Sequence, residues 1–303
     1  MIMDNWISIK IAAQGPFDLK RTFESGHSSF PIPLKDKQDR WYLVMRPTSI
    51  NTVIITRVAQ QGSNLVAEIS CPQRELKENE VQSMKKILRT TFGLQLNLAA
   101  FIEEFKKDPI APAFELYRGI RLTRAHNLFQ SLICSILTQR NSIWRWNAQA
   151  RTMAKLLGEK YPVGHFLIYS FPEAKTIVNH SELLTKASLG YREEYVLETA
   201  KTLANKEKKL EKLKKVPTNE AQNALLELKG VGTKVADMFL LYGLGKMDAP
   251  PVDIWIQRAV SHLFFKKKEQ TLAVCRDKLN EHYGKWAGLA QLYIYCWARD
   301  HLK

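Results

Sequence analysis

Chemistry in this chain centres on LKGVGTKVADMF, residues 228–239. Lys234 falls where a helix begins, in the turn that carries partial positive charge and favours anions. The dipole and the apolar neighbours Val235 and Ala236 both favour the neutral amine, pushing its pKa below the usual value of about 10.4. A neutral amine is a nucleophile, so a placement poor for stability suits covalent catalysis. A lysine that stays charged would instead bind phosphate, and the physics of the stretch leaves both roles open. Downstream, Asp253 follows Pro250 and Pro251 and precedes an apolar helical run in DAPPVDIWIQRAV, 248–260. Aspartate there caps a helix, and a carboxylate held by a rigid proline segment also suits electrostatic catalysis. One helix and a short return separate Lys234 from Asp253, enough chain to bring both to one cleft.

These residues need a hairpin to hold them. LLELKGVGTKVADMFLLYG reads as helix, tight turn, helix, and the spacing predicts a helix-hairpin-helix over 219–244. Gly230 and Gly232 permit a sharp turn and close approach of another surface. The free amides of the turn and of the following helix then point outward, an anion site suited to a DNA phosphate. A plain helix corner is the alternative, in which the glycines only permit the turn.

Around the hairpin the chain has two characters. Up to about residue 75, RWYLVMRP and NTVIITRVAQQGSNLVAEISC are rich in β-branched and aromatic residues and broken by turn signals, as in an antiparallel sheet. Residues 75–92 supply a flanking helix. Later segments place apolar residues at three- and four-residue spacing. The expected architecture is α+β: a small antiparallel β-sheet domain over 1–95, then an all-helical, two-lobed body over 96–303 containing the hairpin. KEKKLEKLKK (206–215) suits a solvated helix end better than a DNA contact.

The 303 residues carry 45 Lys+Arg against 30 Asp+Glu, a net charge of +15 that points to a polyanionic partner such as nucleic acid. Nothing resembles a membrane span or a signal peptide, so an intracellular protein is expected. The four cysteines, Cys71, Cys134, Cys275 and Cys296, are scattered without a CxxC pair, so no metal site is signalled. No cofactor is implied.

GVGTKVAD (230–237) followed by PVDIW (251–255) resembles the helix-hairpin-helix DNA glycosylases, in the 8-oxoguanine DNA glycosylase/AP lyase branch. FQSLICSILTQRNSIWRW looks like the family's first core helix with its Asn/Arg loop. LGYREEYV is similar to its intercalating segment, and KWAGLAQLYIYCWARD resembles its C-terminal helix. ESGHSSF (24–30) is an echo of the family's SGQSF. The resemblance implies that Lys234 attacks C1′ of the damaged nucleotide and forms a Schiff base, with Asp253 stabilising positive charge on the sugar. It implies a base pocket of Gln291 as reader, Tyr295 as stacking partner, Met238 as wall and Gly26 as carbonyl acceptor for the N7 hydrogen of 8-oxoguanine. On the DNA side it implies Tyr191, Asn141, Arg145 and Arg192 around the flipped base's gap and its orphaned cytosine. Trp255 takes the place of a histidine near the phosphate. The partner implied is double-stranded DNA containing oxidised guanine, bound by a monomer. Two other readings are a glycosylase for alkylated bases, which would lack the catalytic amine, and a non-catalytic DNA-binding hairpin, which would need no Asp253. An endonuclease III-like reading would call for a cysteine cluster near the C-terminus, where Cys296 stands alone.

Overall fold

A computed structural model describes residues 5–302 apart from Thr48, Asn51 and His165. The N-terminal strands β1 (Ile7–Ala12), β2 (Leu34–Lys35), β3 (Trp41–Met45), β4 (Ile54–Gln61) and β5 (Asn64–Ser70) form one antiparallel sheet in the order β1-β5-β4-β3-β2. Gly62, with φ +60°, turns β4 into β5 so that Gln61 faces Asn64. Helices α1 (Leu19–Glu24) and α2 (Glu78–Thr91) flank the sheet. α2 turns Met84 and Leu88 inward, where they join Ile9, Phe23, Trp41, Ile54 and Ile69 in a core.

The body begins with α3 (Leu98–Glu104) and α4 (Ala111–Leu116). The chain then enters a second lobe through α5 (Leu128–Leu137), whose residues are all buried; a helix apolar on every side belongs at the centre. Around it lie α6 (Ile143–Leu157), α7 (Ala174–Asn179), α8 (Arg192–Leu203), α9 (Lys208–Lys212), α10 (Thr218–Leu226) and α11 (Thr233–Met238). α11 continues as a π-helical turn, Phe239–Leu244, which Gly245 ends at φ +78°. The chain then returns to the first lobe as α12 (Ile254–Phe264), α13 (Leu272–Tyr283) and α14 (Ala287–His301), which share one core with α3 and α4. Residues of α5–α11 form a separate core. The fold is α+β, with an antiparallel sheet followed by two helical lobes.

One feature departs from the expected all-helical body. After α6, β6 (Lys160–Val163) and β7 (Phe166–Tyr169) pair as a two-stranded ribbon. Tyr161 and Val163 alternate with exposed Lys160 and Pro162, and Gly164 turns the ribbon at φ +57°. The strands are too short to read as a sheet in isolation. They are stabilised by a distant part of the chain, where Tyr161, Val163 and Ile168 pack on Tyr42, Val53 and Ile55 of the N-terminal sheet region.

Arg121 is a second tie between these parts. It is buried, and its guanidinium donates to the carbonyl oxygens of Gln14, Pro16, Gly93 and Leu96. Four carbonyls between Gln14 and Leu96 thus converge on one side chain of the body.

Candidate active site

Lys234 sits in the first turn of α11, after Gly232, whose extended backbone (φ −96°, ψ 178°) caps the helix. Its Nζ donates to Thr138 Oγ1 at 2.7 Å. Thr138 in turn donates to the Ser135 carbonyl at 2.7 Å, so the hydroxyl offers Lys234 a lone pair and its direction is set by α5. Burial lowers the Lys234 pKa to about 8; Asp253 acts in the opposite sense and is outweighed. At neutral pH a useful fraction of the amine is therefore unprotonated.

Asp253 caps α12, accepting from the Ile256 N–H at 3.0 Å. Pro250, Pro251 and Val252, all buried, fix the segment before it. One carboxylate oxygen serves the helix, and the group still faces a cavity of about 320 Å³ that Lys234 also lines.

The same cavity gathers Gly26, Asn141, Met238, Trp255, Gln291 and Tyr295. Gln291 and Tyr295 lie one turn apart on α14. Gln291 is buried, and among the described residues its Oε1 has no hydrogen-bond partner. A buried acceptor facing a cavity without a partner is suited to receive a donor from a ligand. Tyr295 is a neutral phenol, its pKa pushed up to about 12 by burial and then by Asp253. Met238 is a buried wall. Gly26 has φ +73°, and a Cβ there would lie 2.5 Å from the Ile143 side chain, so both backbone and space require glycine.

The other residues occupy the rim. Asn141 Nδ2 donates to the Leu137 carbonyl at 2.9 Å and to Gln149 Oε1 at 2.8 Å, anchoring the loop after α5. Arg145 is exposed on α6. Tyr191 is 49% exposed and its hydroxyl donates to the Gln139 carbonyl at 3.2 Å. Arg192 departs from the role implied by resemblance. Its guanidinium is buried and engaged with the carbonyls of Gln139 (2.9 Å), Arg140 (3.0 Å) and Leu189 (3.2 Å), so in this conformation it braces the loop instead of reaching outward. A buried cation needs such partners. Gly230, at φ +79°, presses on the Tyr195 ring and accepts from Gln139 Nε2 at 2.9 Å, whereas Gly232 is exposed. Trp255 is 44% exposed. Among the described residues no group of three or more His, Cys, Asp or Glu is placed to hold a metal ion, and no helix is long and apolar enough to cross a membrane.

Cavity residues that escaped sequence reasoning include His27, Thr138, Trp144 and Arg299. Arg299 was within reach, since it stands four residues beyond Tyr295 on the same helical face. Trp144 likewise lies two residues from buried Trp146 and so points the other way, 76% exposed.

The family model for the 8-oxoguanine DNA glycosylase N-terminal domain matches residues 8–132. A probable N-glycosylase/DNA lyase of Methanothermobacter thermautotrophicus is 26% identical over 305 residues, covering 94% of each chain. The solved structure of MBOgg1 with a low affinity DNA ligand superposes with TM-score 0.84 at 26% identity, covering 99% of each chain. The chain belongs to the helix-hairpin-helix DNA glycosylases, in the 8-oxoguanine DNA glycosylase/AP lyase branch. As an N-glycosylase/DNA lyase of this branch, it is a DNA-binding repair enzyme. The 3-methyladenine DNA glycosylase of Archaeoglobus fulgidus superposes with TM-score 0.78 at 20% identity, covering 96% of this chain and 98% of that one, a likeness of fold.

Proposed function

We propose that the glycosylase excises 8-oxoguanine opposite cytosine through a Schiff base on Lys234 and then nicks the abasic strand. The observation that carries this is Lys234 itself, an amine with its pKa lowered to about 8, held on Thr138 in a cavity shared with Asp253, Gln291 and Tyr295. A base must leave the helix to be reached. Stacked on Tyr295, it would present its edge to the unpaired Gln291 and the N7 hydrogen of 8-oxoguanine to the Gly26 carbonyl. Nζ attacks C1′ as the C1′–N9 bond breaks, and the base departs with the bonding electrons. Asp253 stabilises the positive charge that develops on the sugar. The amine loses its proton and the sugar ring opens to an imine. Protonation of the imine makes the C2′ hydrogen acidic, and its loss expels the 3′ oxygen by β-elimination.

On the DNA side, Tyr191 fills the gap, and Asn141 and Arg145 meet the orphaned cytosine, with Arg192 bracing the loop that presents them. The Gly230–Gly232 turn receives a phosphate through its amides, and Trp255 lies near the phosphate of the flipped nucleotide. We assign these roles to a monomer built as a sheet domain over 1–95 and a helical body over 96–303.

The test is to incubate duplexes carrying one 8-oxoguanine or one 3-methyladenine and identify the released base by mass spectrometry. Release of 8-oxoguanine, lost in Lys234→Gln, is expected. Release of 3-methyladenine alone would transfer the site to alkylated bases.

A further inference from the structure

The cavity contains a ring that the reaction above does not use. His27 follows Gly26, and its imidazole lies on the Tyr295 ring with centroids 3.7 Å apart and planes at 29°. Rings already in contact leave no room for a base between them. Tyr295 also packs against the core of the first lobe, so His27 covers the ring face turned to the cavity. His27 Nδ1 meets the hydroxyl of buried Tyr242 at 3.0 Å, which fixes the ring in this place. Burial first, then the positive charges of Lys234 and Arg299, lowers the His27 pKa to about 3, so it stacks as a neutral ring. Its backbone has little freedom, because Gly26 is wedged against Ile143. The ring therefore leaves by side-chain rotation.

We propose that His27 determines specificity by occupying the stacking face of Tyr295 in the free enzyme, so that only a base able to displace it reaches Lys234. The proposal rests on the reading of Tyr295 and Gln291 as the base pocket. A competitor built into the pocket lowers the apparent affinity for every base by the fraction of enzyme left open. A base that fills the open pocket strongly still occupies it despite this common factor, whereas one that fills it weakly is left outside. Guanine has no N7 hydrogen for the Gly26 carbonyl and would lose this competition more often than 8-oxoguanine.

Single-turnover excision by the full chain on 8-oxoguanine and guanine duplexes tests this. Each result is divided by the borohydride-trapping rate of the same variant on an abasic duplex, which removes effects of folding. His27→Ala is expected to lower the half-saturating enzyme concentration for the 8-oxoguanine duplex about tenfold, the worth of one stacking contact and one hydrogen bond. It is also expected to raise guanine excision. His27→Phe, which retains a stacking ring, should keep the half-saturating concentration at or above the wild-type value and guanine excision at or below it. Loss of excision in His27→Ala relative to the abasic reference would overturn the proposal, since the ring would then be a wall of the occupied pocket. Unchanged values on both duplexes would overturn it as well. Failure of the substrate reading looks different: the wild type traps abasic DNA but ignores 8-oxoguanine. His27 is then judged by its Cε1 proton in Lys234→Gln enzyme, shifted upfield by the Tyr295 ring current. The shift must disappear on binding a 3-methyladenine duplex, and its persistence would sink the proposal.

Discussion

At the scale of single residues, the site depends on a lysine whose surroundings oppose its charge. With a pKa of about 8, Lys234 gains neutral amine roughly tenfold per pH unit below that value and little above it. Borohydride trapping on an abasic duplex should follow this curve, rising to near pH 8 and then levelling. The same lowered pKa makes burial of the amine costly to folding at neutral pH. The unfolded chain holds more protons between about pH 8 and the ordinary lysine value of 10.5, so this cost is relieved as pH rises through that window. Asp253→Asn separates the two tasks of the carboxylate. Asparagine also caps helices, so stability should change by less than about 0.5 kcal/mol. The rate should fall about 10²- to 10³-fold for want of charge opposite the sugar. Because Asp253 raises the Lys234 pKa, its loss should also move the pH inflection below 8; an inflection that moves upward would contradict this. Lys234 and Asp253 were legible in the sequence because each stands at a helix start with diagnostic neighbours. Thr138 and His27 were not, since their meaning lies in contacts to Lys234 and Tyr242, 96 and 215 positions away.

At the scale of elements, the hairpin assigns different work to its two glycines. A Cβ on Gly230 would fall 2.2 Å from Tyr195 Cγ at φ +79°, whereas one on Gly232 meets nothing within 4 Å. Gly230→Ala should therefore cost about 1–3 kcal/mol in urea unfolding. Gly232→Ala should cost less than about 0.5 kcal/mol while weakening duplex binding several-fold, because the new methyl group stands where a phosphate would approach. Equal costs for the two would contradict the assignment. The helices around this turn were legible from their periodicity, and the turn from its glycines. The π-helical run of α11 and the β6–β7 ribbon were not: the first depends on packing within the second lobe, and the second on a sheet face contributed by a distant segment. Arg192 shows the same limit within one motif. Its place in LGYREEYV was readable, but its engagement with the 139–140 carbonyls depends on how the α5–α6 loop folds back.

At the scale of the whole molecule, the sheet region and the helical body are joined through buried polar contacts as well as apolar ones. Arg121→Met would leave the carbonyls of Gln14, Pro16, Gly93 and Leu96 without this donor. Unmade hydrogen bonds in a buried site are expensive, and a loss of about 3–5 kcal/mol is expected from urea titration. A loss below about 1 kcal/mol would show that water replaces the guanidinium. The net charge of +15 belongs to this scale too, as a field that draws duplex DNA to the cleft. The broad plan, sheet first and helices after, was visible in composition and period, whereas no local signal marks the return of α12–α14 to the first lobe. The central claim concerns Lys234 and is best tested on one duplex carrying 8-oxoguanine opposite cytosine, incubated with protein and borohydride. A covalent protein–DNA band that disappears in Lys234→Gln is the predicted result, with trapping reduced about a thousandfold or more. An equally strong band in Lys234→Gln would assign the chemistry to another amine and contradict the account.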